Sequence, residues 1–396
     1  MSSKTRGQSM KTLDLQASRR QFIQQLGLAT AGLGLATNAP LVFANSTATL
    51  PFRQNAAPLL LHWNENSLGM SPNALSAAKT AIENCGNRYP DAAVDDFKLK
   101  LADLHNVKPE QIIFGNGSTE VLQAIATYAA QNNATMVEPS PTFGDLNNYC
   151  KAENLKVIQV PVGQNFEMNI AALKKQAMAQ TGAVLINICN PNNPTGNIVD
   201  FTTLSDWINN APETHLFLLD EAYFDYAQAN ARYKSGLELI NQGKDNIVIT
   251  RTFSKVHGMA GMRMGYGIAT VTTAGKIKPF AAGFNLSAAA IAAASAALDD
   301  KPFYKKSLEY NQLSKSILIN TLNELELAHI HSDTNFVLHR IGTPLVDYAQ
   351  HMQQNGVRVG RKMTVDDRWN RISLGTPAEM RIFAQTLKAF RQEGWV

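Results

Sequence analysis

Cysteine is scarce in this 396-residue chain: Cys85, Cys150 and Cys189 stand far apart, and no CxxC pair occurs. That excludes a disulfide framework and a cysteine-based zinc pattern, so three ordinary thiols and no metal are expected. Charge is sparse too. Asp, Glu, Lys and Arg make up 17% of the residues, with no long block of one sign. No repeat period or low-complexity tract is visible, and 45% of the residues are hydrophobic. A disordered or fibrous chain is thereby excluded, and a large buried core spread over about two domains is expected.

The formal net charge of +4 sits at one end. Residues 1–44 hold Lys4, Arg6, Lys11, Arg19 and Arg20 against Asp14, which accounts for all of it. The neutral remainder lacks the basic footprint of a nucleic-acid binder, so no nucleic-acid partner is expected. Long apolar runs are also missing from the body. Residues 280–298 come nearest, but Ala, Ser, Gly and Asn dominate there, which points to a small-residue helix packed inside protein.

What the first 44 residues do contain is an address. Ser18-Arg19-Arg20-Gln21-Phe22-Ile23 sets two arginines directly before an uncharged stretch over 26–40. Val42-Phe43-Ala44 supplies small residues at the −3 and −1 positions of a signal-peptidase site. The segment resembles a twin-arginine export signal, and its apolar part is too short and Gly-rich to favour a membrane span. The resemblance implies a periplasmic or otherwise exported protein that engages the twin-arginine export machinery. That route carries folded proteins, which suits a chain that takes up a cofactor before export.

From about residue 110 short apolar runs alternate with helical patterns. Residues 111–115, 134–138, 156–162, 183–189, 216–220 and 247–252 read as buried strands, and 120–131 and 170–179 as helices. That alternation predicts an α/β domain with a mostly parallel sheet and helices on both faces. After about 299 the pattern changes to a long helix over 301–324, short strands over 335–339, 356–359 and 371–374, and a last helix over 377–391. The expected organisation is a leader over 1–44 and a segment over 45–81 that packs with the small domain. A large domain over 82–298 and a smaller α+β domain over 299–396 follow.

Ligands of open α/β sheets bind at the carboxyl ends of strands, and four motifs fall there. Gly115-Asn116-Gly117-Ser118-Thr119-Glu120 is a glycine-rich turn opening a helix, whose N–H groups and dipole suit a phosphate. Asn190-Pro191-Asn192-Asn193-Pro194-Thr195-Gly196 is a stiff turn that can aim its amides. Leu218-Leu219-Asp220-Glu221-Ala222-Tyr223 puts an acid at a strand end, and Arg251-Thr252-Phe253-Ser254-Lys255 puts a lysine beside two hydroxyls. Each alone also fits a blander description: a common turn, a capping Asp, a surface Lys.

In this order, with Arg88-Tyr89-Pro90-Asp91, with Arg263 eight residues beyond Lys255, and with Arg371-Ile372-Ser373-Leu374-Gly375-Thr376, the chain resembles the class I/II aminotransferases of fold type I. It is most similar to their histidinol-phosphate aminotransferase group, over about residues 58–391. The resemblance implies pyridoxal 5′-phosphate as cofactor and amino-group exchange between an L-amino acid and a 2-oxo acid. It also implies a role for each residue. Lys255 carries the cofactor as a Schiff base and then moves the Cα proton, which needs a depressed pKa. Asp220 faces the pyridine nitrogen. Asn193 and Tyr223 bond the ring's phenolic oxygen, and Phe143 stacks on the ring. Ser118, Thr119, Thr252, Ser254 and Arg263 hold the phosphate, Arg263 as a planar fork. Tyr89 reaches the neighbouring subunit's phosphate in a homodimer. Arg371 grips the substrate carboxylate, and Asn66 lies in the amino-terminal segment that covers the site.

Two places depart from that pattern. Asn66-Ser67-Leu68-Gly69-Met70 replaces the usual Asn-Pro-Tyr-Gly-Pro. Near the C-terminus, Gly360-Arg361-Lys362-Met363 precedes Arg371 at a spacing unlike the phosphate-binding arginine of histidinol-phosphate enzymes. Arg358 and Arg361 are the candidates for that arginine's place, and Arg361 or Lys362 for contact with an acidic distal group. Histidine synthesis is cytoplasmic while this chain carries an export signal, so the substrate stays open between histidinol-phosphate-like and aromatic compounds. A lyase or decarboxylase on the same fold is the alternative reaction. His257 reads as a packing residue and Trp63 as core.

Overall fold

The computed structural model describes residues 58–396; the leader expected over 1–44 and the first part of the 45–81 segment lie outside the described residues. A short strand, β1 (Leu59–Leu61), comes first. Seven strands then form one sheet: β2 (Ile112–Asn116), β3 (Thr135–Ser140), β4 (Val157–Pro161), β5 (Val184–Cys189), β6 (His215–Asp220), β7 (Ile247–Thr252) and β8 (Met264–Ala269). Their order is β2-β8-β7-β6-β5-β3-β4, parallel throughout except for β8, which runs antiparallel to both β2 and β7. This is the expected mostly parallel α/β architecture.

The sheet is buried on both faces because its central strands are apolar at every step. Ile186, Leu219 and Ile249 point into one core, while their neighbours Leu185, Leu218 and Val248 point into the other. Truncating one of these, such as Leu218→Ala, costs about 2–5 kcal/mol, since the packed neighbours cannot close the gap.

The sequence reading missed two strands, β1 and β8. β8 carries glycines at 265 and 267, which weaken the strand pattern. Packing explains them: a Cβ on Gly265 would stand 2.2 Å from the backbone nitrogen of Ser118, and one on Gly267 would stand 2.9 Å from Val121. The glycines let the phosphate-type turn and its helix lie against the sheet. The small-residue helix expected near 280–298 is present as Ala288–Asp299, capped by Ser287, and packs on the helix Pro72–Cys85. Among the described residues no helix is long and apolar enough to cross a membrane.

A second core lies C-terminal. There β9 (Phe336–Arg340) pairs antiparallel with β11 (Trp369–Ser373), and β10 (Val357–Val359) pairs in parallel with β1. Leu61, Val337, Tyr348, Ile372, Phe383 and Phe390 fill it, beneath the helices Lys301–Glu324, Leu345–Gln354 and Pro377–Gln392. The last of these starts with a reciprocal cap: Thr376 N–H donates to Glu379 Oε2 at 2.7 Å, and Glu379 N–H to Thr376 Oγ1 at 3.2 Å. β11 thereby carries Arg371 and Ser373 toward the carboxyl ends of the large sheet's strands.

Candidate active site

One cavity of about 630 Å³ gathers most of the residues singled out from sequence. Lys255, Asp220, Tyr223 and Asn193 line it, with Phe143 and Arg371. So do Ser118, Thr119, Thr252, Ser254, Arg263 and Arg361. A smaller cavity of about 310 Å³ touches Thr252 from behind, and its main cation, Arg251, is already paired with Glu221 at 2.9 Å.

Lys255 follows β7, and its Nζ lies 3.5 Å from the carbonyl oxygen of Trp63 and 5.5 Å from the centre of the Tyr223 ring. Burial pulls its pKa down to about 8, Arg371 adds to this, and Glu65 and Asp220 work against it. A large fraction of the amine is thus neutral near pH 8, as a base must be.

Asp220 ends β6. Its Oδ1 accepts from Thr250 Oγ1 at 3.0 Å and from the Ala222 N–H at 3.2 Å, while Oδ2 has no hydrogen-bond partner among the described residues. Burial raises its pKa to about 6, so the group is ionised at neutral pH. A buried carboxylate with one free oxygen on a cavity wall fits a cationic ring nitrogen.

The phosphate-type turn has the shape of an anion cradle. Gly117 adopts φ +73°, and the helix Ser118–Gln131 that it opens has no side chain capping its N-terminus. Arg263 folds over it. Its Nη2 donates to the Asn116 carbonyl at 3.2 Å, and a Cβ on Gly117 would lie 2.3 Å from that nitrogen. Thr252 Oγ1 and Ser254 Oγ lie 2.9 Å apart beside it. Hydroxyls, free N–H groups and a guanidinium around one point form a donor set suited to a phosphate, and the site's residues fit pyridoxal 5′-phosphate.

On the opposite side, Arg371 donates from Nη1 to Asn193 Oδ1 and from Nη2 to the His62 carbonyl, each at 2.7 Å. Its buried Nε has no partner.

Tyr89 and Asn66 lie outside the cavity lining. Tyr89 is 76% exposed and packs against the equally exposed Phe284, ring centres 5.1 Å apart. Asn66 donates to the Val256 carbonyl at 2.8 Å and to Ser307 Oγ at 2.9 Å, tying the amino-terminal segment to the Lys255 loop. Trp63 is not core, contrary to the sequence reading: it is 55% exposed, lines the cavity, and has the Arg361 guanidinium 5.7 Å above its ring. His257 is half-buried and packs against Phe253 and Tyr304, in keeping with a packing role. Sequence reasoning missed Asn64, Cys189 and Asp145. Asp145 opens a helix two residues after Phe143, and only that adjacency could have flagged it.

The profile of the family described as aminotransferase class I and II matches residues 57–387. The chain belongs to that family. Among its relatives is histidinol-phosphate aminotransferase of Moorella thermoacetica, 33% identical over 327 residues, spanning 82% of this chain and 83% of the relative. A crystal structure from Erwinia carotovora atroseptica, provisionally named histidinol-phosphate aminotransferase, superposes with a TM-score of 0.83 at 38% identity, covering 86% of this chain and 97% of the other. The Sinorhizobium meliloti histidinol-phosphate aminotransferase, solved with pyridoxal 5′-phosphate, gives 0.78 at 26% identity, covering 86% and 93%. Class I and II aminotransferases depend on pyridoxal 5′-phosphate, so the chain is an aminotransferase that uses this cofactor on a fold type I scaffold.

Proposed function

We propose that this aminotransferase takes an L-amino acid donor with an acidic group at the far end of its side chain and passes the amino group to a 2-oxo acid. The observation that carries the reading is Arg361. Its guanidinium lines the cavity beside Trp63, and it has neither a hydrogen bond nor an ion pair among the described residues. A cation left free in a pocket is available to a ligand's anion.

The cofactor would be held by Asp220 at its ring nitrogen, Asn193 and Tyr223 at its ring oxygen, and Phe143 on its face. Ser118, Thr119, Thr252, Ser254 and Arg263 would hold its phosphate. When bound, pyridoxal 5′-phosphate supplies an aldehyde for the amino group and a ring that takes up the electron pair released at Cα. The chain does the rest. Arg371 would orient the substrate through its carboxylate, Lys255 Nζ would take the proton from Cα and deliver it two atoms away, across the nitrogen, and Asp220 would keep the ring nitrogen protonated.

The same reading includes a homodimer and export. The exposed Tyr89–Phe284 pair supports an intersubunit role for Tyr89, and the Arg19-Arg20 leader supports the periplasm. Light scattering should give twice the chain mass. Replacing both leader arginines with lysine should hold the protein in the cytoplasm.

The substrate reading is tested with Arg361→Ala. KM should rise for donors with an acidic distal group and stay the same for neutral ones. Equal kinetics on both classes would discard it.

A further inference from the structure

The residue that fixes the direction of the Tyr223 hydroxyl lies far from it in sequence. Asn64 is 1% exposed and sits at φ +56°, a left-handed conformation that asparagine tolerates better than most residues. Its backbone is tied at both ends. The N–H donates to Ser373 Oγ at 2.8 Å, and the carbonyl accepts from Asn335 Nδ2 at 3.0 Å. Its side chain bridges two groups: Ser373 Oγ donates to Oδ1 at 3.0 Å, and Nδ2 donates to the Tyr223 hydroxyl oxygen at 2.9 Å.

These bonds decide which way the amide faces. Ser373 has a single hydroxyl proton and is buried. Its oxygen already accepts the Asn64 N–H, and the only acceptor for its proton among the described residues is Asn64 Oδ1. Turning the amide over would leave that buried O–H without an acceptor. The NH₂ end is therefore held against Tyr223. The phenol oxygen must accept from it, and its own proton finds no acceptor in the protein among the described residues. Tyr223 is 3% exposed and lines the cavity, so the cavity is where that proton has to go.

We infer that Asn64 is a positioning residue that makes Tyr223 an obligatory hydrogen-bond donor into the site. The inference rests on the reading that Tyr223 faces the ring oxygen of the cofactor. It links β11, two residues beyond Arg371, to the tuning of the cofactor, because Ser373 sets the amide that sets the phenol.

The test is a pH titration of the visible absorbance band of the holoenzyme, with melting curves to check folding. A donor at the ring oxygen favours the deprotonated form of the chromophore, so Tyr223→Phe should raise the midpoint by about 1 unit. Asn64→Asp offers an acceptor that draws the phenol proton out of the cavity, and should raise the midpoint similarly. In the Tyr223→Phe background the Asn64→Asp change should add nothing, whereas a mere charge effect would persist there. Ser373→Ala frees the amide to turn and should shift the midpoint in the same direction by less, which keeps the test alive if Asn64→Asp does not fold. If Tyr223→Phe shifts the midpoint while Asn64→Asp and Ser373→Ala leave it unchanged, the inference is overturned and the Tyr223 reading stands. If Tyr223→Phe itself shifts nothing, the Tyr223 reading fails and the inference goes with it.

Discussion

Arg371 reaches from the small core to the large one: its Nη1 lies 2.7 Å from Asn193 Oδ1, on the turn after β5. The arginine is thus held by neutral oxygens of Asn193 and His62, its charge unbalanced by any acid among the described residues. Lysine can supply the charge but not two parallel donors. Arg371→Lys should lower kcat/KM by about 100-fold for amino and 2-oxo acids alike, read by steady-state kinetics on both half-reactions. A change below about threefold would separate this residue from the substrate carboxylate.

Asp220 predicts a different kinetic signature. Its charge acts on electrons released during the reaction, so Asp220→Asn should lower kcat by about 100-fold or more while KM moves only a few-fold. There is also a pH consequence. Burial raises the carboxyl's pKa to about 6, so below that value the apoenzyme presents a neutral acid to the ring nitrogen. Cofactor affinity, followed by fluorescence quenching, should weaken as the pH falls through about 6.

The amine of Lys255 burdens the fold before any cofactor arrives. Its pKa is near 8 when folded and 10.5 in its ordinary state, so the unfolded chain binds the proton more tightly. Stability is therefore lowest below about pH 8 and recovers as the pH rises from 8 to 10.5. Apo Lys255→Met should melt at a higher temperature than apo wild type at pH 7, with the gap shrinking across that window. A gap independent of pH would contradict the shift.

Gly265 tests the cradle geometrically. Its Cβ would meet the Ser118 backbone nitrogen at 2.2 Å, and backbone cannot swing aside as a side-chain tip can. Gly265→Ala should destabilise the protein by about 1–3 kcal/mol and weaken cofactor binding, read by denaturant titration and by equilibrium dialysis. Gly275→Ala, where an added Cβ meets nothing within 4 Å, is the matched control.

Much of this was legible because parallel sheets bury both faces: Leu216 to Asp220 and Ile247 to Thr252 read as strands from apolar continuity alone, and the reactive residues follow their ends. Fourteen residues could be named on that basis and on family resemblance; one cavity holds twelve of them, and Tyr89 and Asn66 lie outside its lining. What stayed hidden depends on contacts between distant segments. β8 was obscured because its glycines answer to the Ser118 turn. Trp63 was misjudged because an aromatic beside a strand carries no local sign of whether it faces core or cavity. Asn64 escaped notice because its partners, Tyr223 and Ser373, lie 159 and 309 residues away.

The account turns on the covalent role of Lys255. Purified protein should be loaded with pyridoxal 5′-phosphate, reduced with borohydride, digested and read by mass spectrometry. The account predicts a reduced phosphopyridoxyl adduct on the peptide that contains Lys255, absent from the Lys255→Ala variant. A wild-type peptide of unchanged mass, in protein that stays colourless with the cofactor, would contradict it.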